Sequence, residues 1–118
     1  MNNRLSGKIA ETLAVIYFAL HGFRIVKRNY VTGKRTGAGE IDLIVKRKNL
    51  LVFTEVKKRA NLDIAAYAIL PKQQQRIWKA AENFIKKHPQ FESFDIRFDA
   101  FLVSSKLTFK HIADAWRQ

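Results

Sequence analysis

Asp42, Glu55 and Lys57 form an Asp-x12-Glu-x-Lys pattern within GAGEIDLIVKRKNLLVFTEVKKR, residues 37–59, and Glu40 lies two residues before Asp42. These carboxylates sit inside runs of Ile, Leu, Val and Phe, in a chain with 22 Lys and Arg against only 10 Asp and Glu. Side chains alternate along a strand, so Glu40 and Asp42 share one face, as do Glu55 and Lys57 on the next strand. If Lys46–Asn49 is a four-residue hairpin loop, Val45 pairs with Leu50 and Asp42 stands opposite Phe53. All four charged side chains then project to one side. Clustered carboxylates repel when desolvated and need a cation to stay ionised. Lys57 supplies one charge, and a divalent ion such as Mg²⁺ or Mn²⁺ would supply more. Mg²⁺ is held by one or two carboxylates plus water and phosphate oxygens. Such an ion polarises a phosphodiester, while an adjacent lysine orients water or steadies transition-state charge. The plain alternative is a structural ion pair at a strand end.

The elements that must position these groups follow from apolar period and punctuation. Leu5, Ile9, Leu13, Ile16 and Leu20 recur at helical spacing, and His21-Gly22 ends that helix, with Gly22 suited to a left-handed cap. Phe23 to Tyr30 reads as a strand and 31–38 as a loop. Strands over about 39–46 and 50–57 are apolar on both faces, as expected of the centre of a covered sheet. Pro71 opens a second helix running to Lys87, and His88-Pro89 breaks it. Phe94 to Val103 is a further strand, and LTFKHIADAW a short strand or turn that packs Trp116. The order αβββαβ predicts one α/β domain over residues 1–118, a mixed sheet with flanking helices.

Composition narrows the partner. The formal charge is +12 and the apolar fraction 47%, with a pI near 10.3. A globular domain this basic suits a polyanion, most often nucleic acid. Lys72, Arg76, Lys79, Asn83 and Lys86 share one face of the second helix, opposite Ile77, Ala81, Phe84 and Ile85. With Lys34, Arg35 and Lys46–Lys48 they could form a phosphate-contacting surface, although a merely solvated face would look the same. No membrane partner is expected: there is no spanning run, no signal peptide and no uniformly basic amphipathic helix. Without cysteine there are no disulfides or thiolate metal sites, and the chain reads as cytoplasmic. His21, His88 and His111 lack zinc-ligand spacing. No phosphate-cradling Gly-rich loop or nucleophilic triad stands out. Nor does the sequence display an aromatic platform for unpaired bases.

Nearly the full length resembles the YraN-like family of uncharacterised proteins, described as predicted endonucleases distantly similar to archaeal Holliday junction resolvases. The resemblance rests on Gly7/Ala10-Glu11, on Gly22-Phe23-Arg24-Ile25 leading into Arg28-Asn29, and on Gly39-Glu40-Ile41-Asp42-Leu43-Ile44. It rests further on Leu51-Val52-Phe53-Thr54-Glu55-Val56-Lys57, Pro71-Lys72-Gln73 with Arg76, Arg97-Phe98-Asp99, and His111-Ile112. It implies a restriction-endonuclease-like fold of the PD-(D/E)XK kind. Asp42 and Glu55 would be metal-binding carboxylates, Lys57 the catalytic lysine, Glu11 an acidic residue from the first helix completing the metal and catalytic set, and Gln73 a supporting polar residue. Lys58 stands where a threonine is common, and Ile69-Leu70-Pro71 varies the usual Thr-Pro helix entry. The implied activity is Mg²⁺-dependent endonucleolytic cleavage of branched or structured DNA, and a two-fold dimer is implied with it. Two rivals are a nucleic-acid-binding module of the same fold without turnover, and a basic adaptor for an anionic protein or ribosomal RNA.

Overall fold

The computed structural model describes residues 3–32, 39–59, 62 and 69–117, with side chains from residue 7 onward. Helix α1 covers Asn3–Leu20, followed by β1 Arg24–Val31, β2 Glu40–Arg47 and β3 Leu50–Arg59. Helix α2 covers Pro71–Lys87, and after a 3-10 turn at Pro89–Phe91 come β4 Asp95–Ser104 and β5 Phe109–Trp116. The five strands form one sheet in chain order. Only β3 and β4 are parallel, because α2 carries the chain back between them; the other pairs are antiparallel. This is the mixed α/β sheet with flanking helices expected from the sequence.

Each helix covers one sheet face. α1 buries Ala10, Ala14 and Phe18, spaced one turn apart, against Leu43, Val45, Val52 and Phe101. Of the larger aliphatics that suggest the helix, Leu13 packs only at the edge of this contact, and Ile16 and Leu20 are 50% and 80% exposed. Two alanines let the helix backbone approach the sheet closely, and Phe18 fills the remaining depth. α2 buries Ile77, Ala80, Ala81 and Phe84 against Ile44, Leu51, Phe53 and Phe98, with Ile85 half-buried beside them. Gly22 ends α1 at a φ of 84°, where a side chain would be strained. The Phe23 N–H then closes on the Phe18 carbonyl.

Two expectations change. The β2–β3 turn is Lys48–Asn49 alone, with Arg47 opposite Leu50 and Lys46 opposite Leu51. Lys46 and Arg47 are therefore strand residues, and the register differs by two from the expected pairing of Val45 with Leu50. A shift of two keeps every side chain on its face. The chain's end is also a full strand: β5 pairs from Phe109 opposite Val103 to Trp116 opposite Phe98, with an irregularity between Phe98 and Ala100. Asp114, at a φ of 55°, lies in the β5 stretch between the partners of those two residues, and its N–H is held by the fully buried Asp99 at 3.0 Å.

Candidate active site at the β2–β3 divergence

The β2–β3 ladder runs from Arg47 opposite Leu50 to Leu43 opposite Thr54. One step further on, Asp42 and Glu55 come opposite one another. Here the Asp42 carboxylate replaces a backbone acceptor, its Oδ2 taking the Val56 N–H at 2.8 Å. Glu55, only 7% exposed, lies beneath α2, whose Gln73 donates Nε2–H to Glu55 Oε2 at 3.2 Å. Lys57 Nζ lies 3.9 Å from Glu55 Oε1. Asp42, Glu55, Lys57 and Gln73 thus converge from two strands and one helix.

The electrostatics show how crowded these carboxyls are. Burial first, then the hydrogen bond and charge of Asp42, push the Glu55 carboxyl up to about 9, against a smaller downward pull from Lys57. At neutral pH Glu55 therefore keeps its proton and offers it to Asp42 in a hydrogen bond. Glu40 is raised as well, by burial and then by the charges of Asp42 and Glu11. Sequence alternation places Glu40 on the Asp42 face but assigns it no role. Here it lines the same cleft.

That cleft, about 390 Å³, lies between β2 and the start of α2, with Glu40, Asp42, Glu55, Gln73 and the rim cations Lys72 and Arg76 around it. A second opening of about 280 Å³ on the α1 side is lined by Glu11, Asp42 and Lys57. Asp42 borders both, so Glu11 adjoins the pair from the far side. Among the described residues no three His, Cys, Asp or Glu side chains draw together as a metal-ligating group. Glu11 and Glu40 therefore flank the Asp42–Glu55 pair without joining it in such a group. Two carboxyls this close are oxygen donors of the kind that suit a hard divalent cation, which would take the place of the Glu55 proton.

One close approach holds the two walls together. The Gly39 N–H bonds to the Arg76 carbonyl at 3.2 Å, and a Cβ on Gly39 would lie 3.1 Å from Arg76 Cβ. This approach docks the start of β2 on α2 and is not legible in the sequence, since it joins residues 37 positions apart. Lys72, Arg76, Lys79 and Lys86 are all exposed, forming a row that leaves the cleft along α2 for about 21 Å at 1.5 Å per residue. Asn83 in that row accepts the Tyr30 hydroxyl and is half-buried. Lys46 lies over the Phe94 ring at 5.8 Å. Lys34 and Arg35 lie outside the described residues.

Comparison with known proteins agrees with the resemblance read from the motifs. The profile of the Uncharacterised protein family UPF0102 matches residues 10–103. A UPF0102 protein of Rhodopseudomonas palustris is 47% identical over 111 residues, covering 94% of this chain and 79% of its own. Similar proteins from Bradyrhizobium diazoefficiens and Paramagnetospirillum magneticum are each 43% identical over 94% of this chain, covering 80% and 86% of their own lengths. The chain belongs to the Uncharacterised protein family UPF0102.

Proposed function

We propose that this protein is a divalent-metal-dependent nuclease acting on branched or structured DNA, with Asp42 and Glu55 as the metal-holding carboxylates. The observation that carries this reading is the convergence itself: Asp42 and buried Glu55, from different strands, line one cleft beside Lys57 and Gln73, at the head of a basic helix face. A bound Mg²⁺ or Mn²⁺ would neutralise the pair and polarise a phosphodiester oxygen. Glu55 must release its proton for this, and Lys57 favours that release. The Lys57 ammonium, 3.9 Å from Glu55, would stand beside a phosphate held by that metal ion. There it can orient the attacking water and offset charge developing on the phosphoryl oxygens. Gln73 fixes the rotamer of Glu55 by holding one of its oxygens. Lys72 and Arg76 at the rim, continued by Lys79 and Lys86, are placed to meet the strand's phosphates without reading its sequence. Glu11, across Asp42, adds negative potential that would favour a cation in the adjoining opening.

A binding module of the same fold without turnover is the second reading. It draws on the lack of a three-carboxylate metal-ligating group among the described residues. The deciding experiment offers forked, flapped, four-way and single-stranded DNA to the protein with Mg²⁺ or Mn²⁺. Asp42→Asn, Glu55→Gln and Lys57→Met should each abolish cutting, while the two carboxylate changes leave binding intact or slightly tighter, since each removes negative charge facing phosphate. Salt-dependent binding with no cutting of any substrate by the unaltered protein establishes the binding module instead.

A further inference from the structure

Leu70 stands at the mouth of the carboxylate cleft, which it lines together with Glu40, Asp42, Glu55 and Gln73. It is 68% exposed. A single exposed leucine is ordinary on a protein surface, and this one is set apart by its mounting. Ile69, before it, is buried in the core that α2 covers. Pro71, after it, has a fixed φ and holds Leu70 in extended backbone. Gln74 ties down both carbonyls, its side-chain amide donating to Ile69 O at 2.7 Å and its backbone N–H to Leu70 O at 2.9 Å. The segment is thus pinned on either side, with the leucine side chain raised into the water of a rim that includes Lys72 and Arg76. Leu70 is also the N-cap of α2, at a φ of −62° and a ψ of 144°, and makes no side-chain cap hydrogen bond. Serine, threonine, aspartate or asparagine in that place would accept the N–H of Lys72 or Gln73. Leucine forgoes the cap and leaves apolar surface in water, two local costs at one residue of the cleft. Such concessions gather at functional sites.

We propose that Leu70 is a wedge, which enters an opened base step of the DNA held at the cleft and so favours strands whose stacking is already broken at a branch, flap or mismatch. This rests on the nucleic-acid reading above and adds what the site asks of its ligand. The rim cations seek phosphate, and a phosphate backbone offers a leucine nothing apolar to cover. Base faces do, and they are open only where a stack is interrupted. Leucine is among the side chains that enter base steps in other proteins, unstacking them and kinking the duplex. Opening a step is costly within a continuous duplex and cheapest where pairing or stacking has already failed. Leu70 and Gln73 are three residues apart at the entry of α2, and Gln73 holds Glu55. The opened step would therefore lie beside the phosphate presented to Asp42 and Glu55, with Lys72 and Arg76 on the phosphates next to it. Rigid mounting serves this purpose, because a wedge that yields does not part a stack.

The protein is titrated, in EDTA so that no strand is cut, with two dye-labelled DNAs. One is a continuous duplex with 2-aminopurine at its centre, and the other a fork with 2-aminopurine at the last paired position. Anisotropy reports binding, and 2-aminopurine emission, quenched while the base is stacked, reports opening of the step. The fork should bind more tightly than the duplex, and its emission should rise on binding. Leu70→Ser gains the cap that leucine lacks, so it should melt no lower than the original protein. It should bind the duplex within about twofold and the fork about tenfold more weakly, the loss expected when a leucine stays in water, and should leave the emission quenched. A Leu70→Ser protein that binds the fork and raises its emission like the original overturns the wedge. Equal affinities of the unaltered protein for the two DNAs, with unchanged emission, also overturn it and leave the nucleic-acid reading standing. Failure of the unaltered protein to bind either DNA overturns both.

Discussion

Glu55→Gln should stabilise this protein at neutral and alkaline pH, although it alters the centre of the candidate active site. Glu55 is raised from its ordinary 4.5 to about 9 by burial and by Asp42. Between those values the unfolded chain has lost a proton that the folded chain still holds. Stability therefore falls as pH rises through this window, by about 1.4 kcal/mol per unit at the steepest. At pH 7 the accumulated loss is about 3 kcal/mol, a large part of the ~5–15 kcal/mol that holds a domain folded. Glutamine has no such proton to lose, and its amide offers Asp42 a permanent N–H in place of that proton. Urea unfolding in EDTA from pH 5 to 9 should show a midpoint that falls steeply with pH for the unaltered protein and more shallowly for Glu55→Gln. The curves should converge near pH 4.5. Adding Mg²⁺ at pH 8 should recover stability in the unaltered protein and do little for the variant, because the cation replaces the proton only where both carboxylates remain. Parallel midpoint-versus-pH curves, or a Glu55→Gln protein less stable at pH 8, would refute the retained-proton account.

Three other expectations follow from separate features. Gly39→Ala should cost about 1–3 kcal/mol in urea unfolding, because its Cβ meets the Arg76 side chain at 3.1 Å; an unchanged midpoint would show that the two walls separate freely. Replacing Lys72, Arg76 and Lys79 with Glu should weaken DNA binding alike for all sequences and flatten its salt dependence, by about 0.9 in log–log slope for each phosphate no longer neutralised; unchanged affinity would make the row a solvated face. Burial pushes the Asp99 carboxyl up, but hydrogen bonds from His111, Arg97 and the Asp114 N–H outweigh this and hold it below its ordinary value. Its contribution to stability is present above the ordinary range and is lost as pH falls through the depressed value. Asp99→Asn should therefore destabilise by about 3–5 kcal/mol at neutral pH and lose part of the acid limb in a pH series of thermal melts.

The carboxylate face is legible in the sequence because strand alternation survives an error of two residues. The expected pairing of Val45 with Leu50 is displaced by two, yet Asp42 and Glu55 stay on one side of the sheet. Lys46 and Arg47 mislead because polar residues at an exposed strand end look like a turn, and only Lys48–Asn49 turns. β5 is hard to read for a different reason. Its irregularity at Asp114 is held by Asp99, a partner on another strand, so no local pattern announces it. In α1 the bulk of Leu13, Ile16 and Leu20 draws attention from Ala10 and Ala14, whose small size sets the helix-to-sheet distance. Gln73 enters only through resemblance, because its bond to Glu55 spans the β3–α2 crossover.

The bond from the Val56 N–H to Asp42 bears on how this position should be probed. One oxygen of Asp42 serves as a structural peg for the Val56 N–H, and the carboxylate also takes the hydrogen bond of Glu55. An alanine scan would confuse the two jobs. Alanine at 42 strands a partly buried amide at a cost of about 1–3 kcal/mol and lets the strand ends part, so lost activity would report damage as much as mechanism. Asparagine can keep its carbonyl on the amide and surrender only the charge. The same peg limits drift of the Asp42 carboxylate. The carboxylate that borders both openings is thereby held in place.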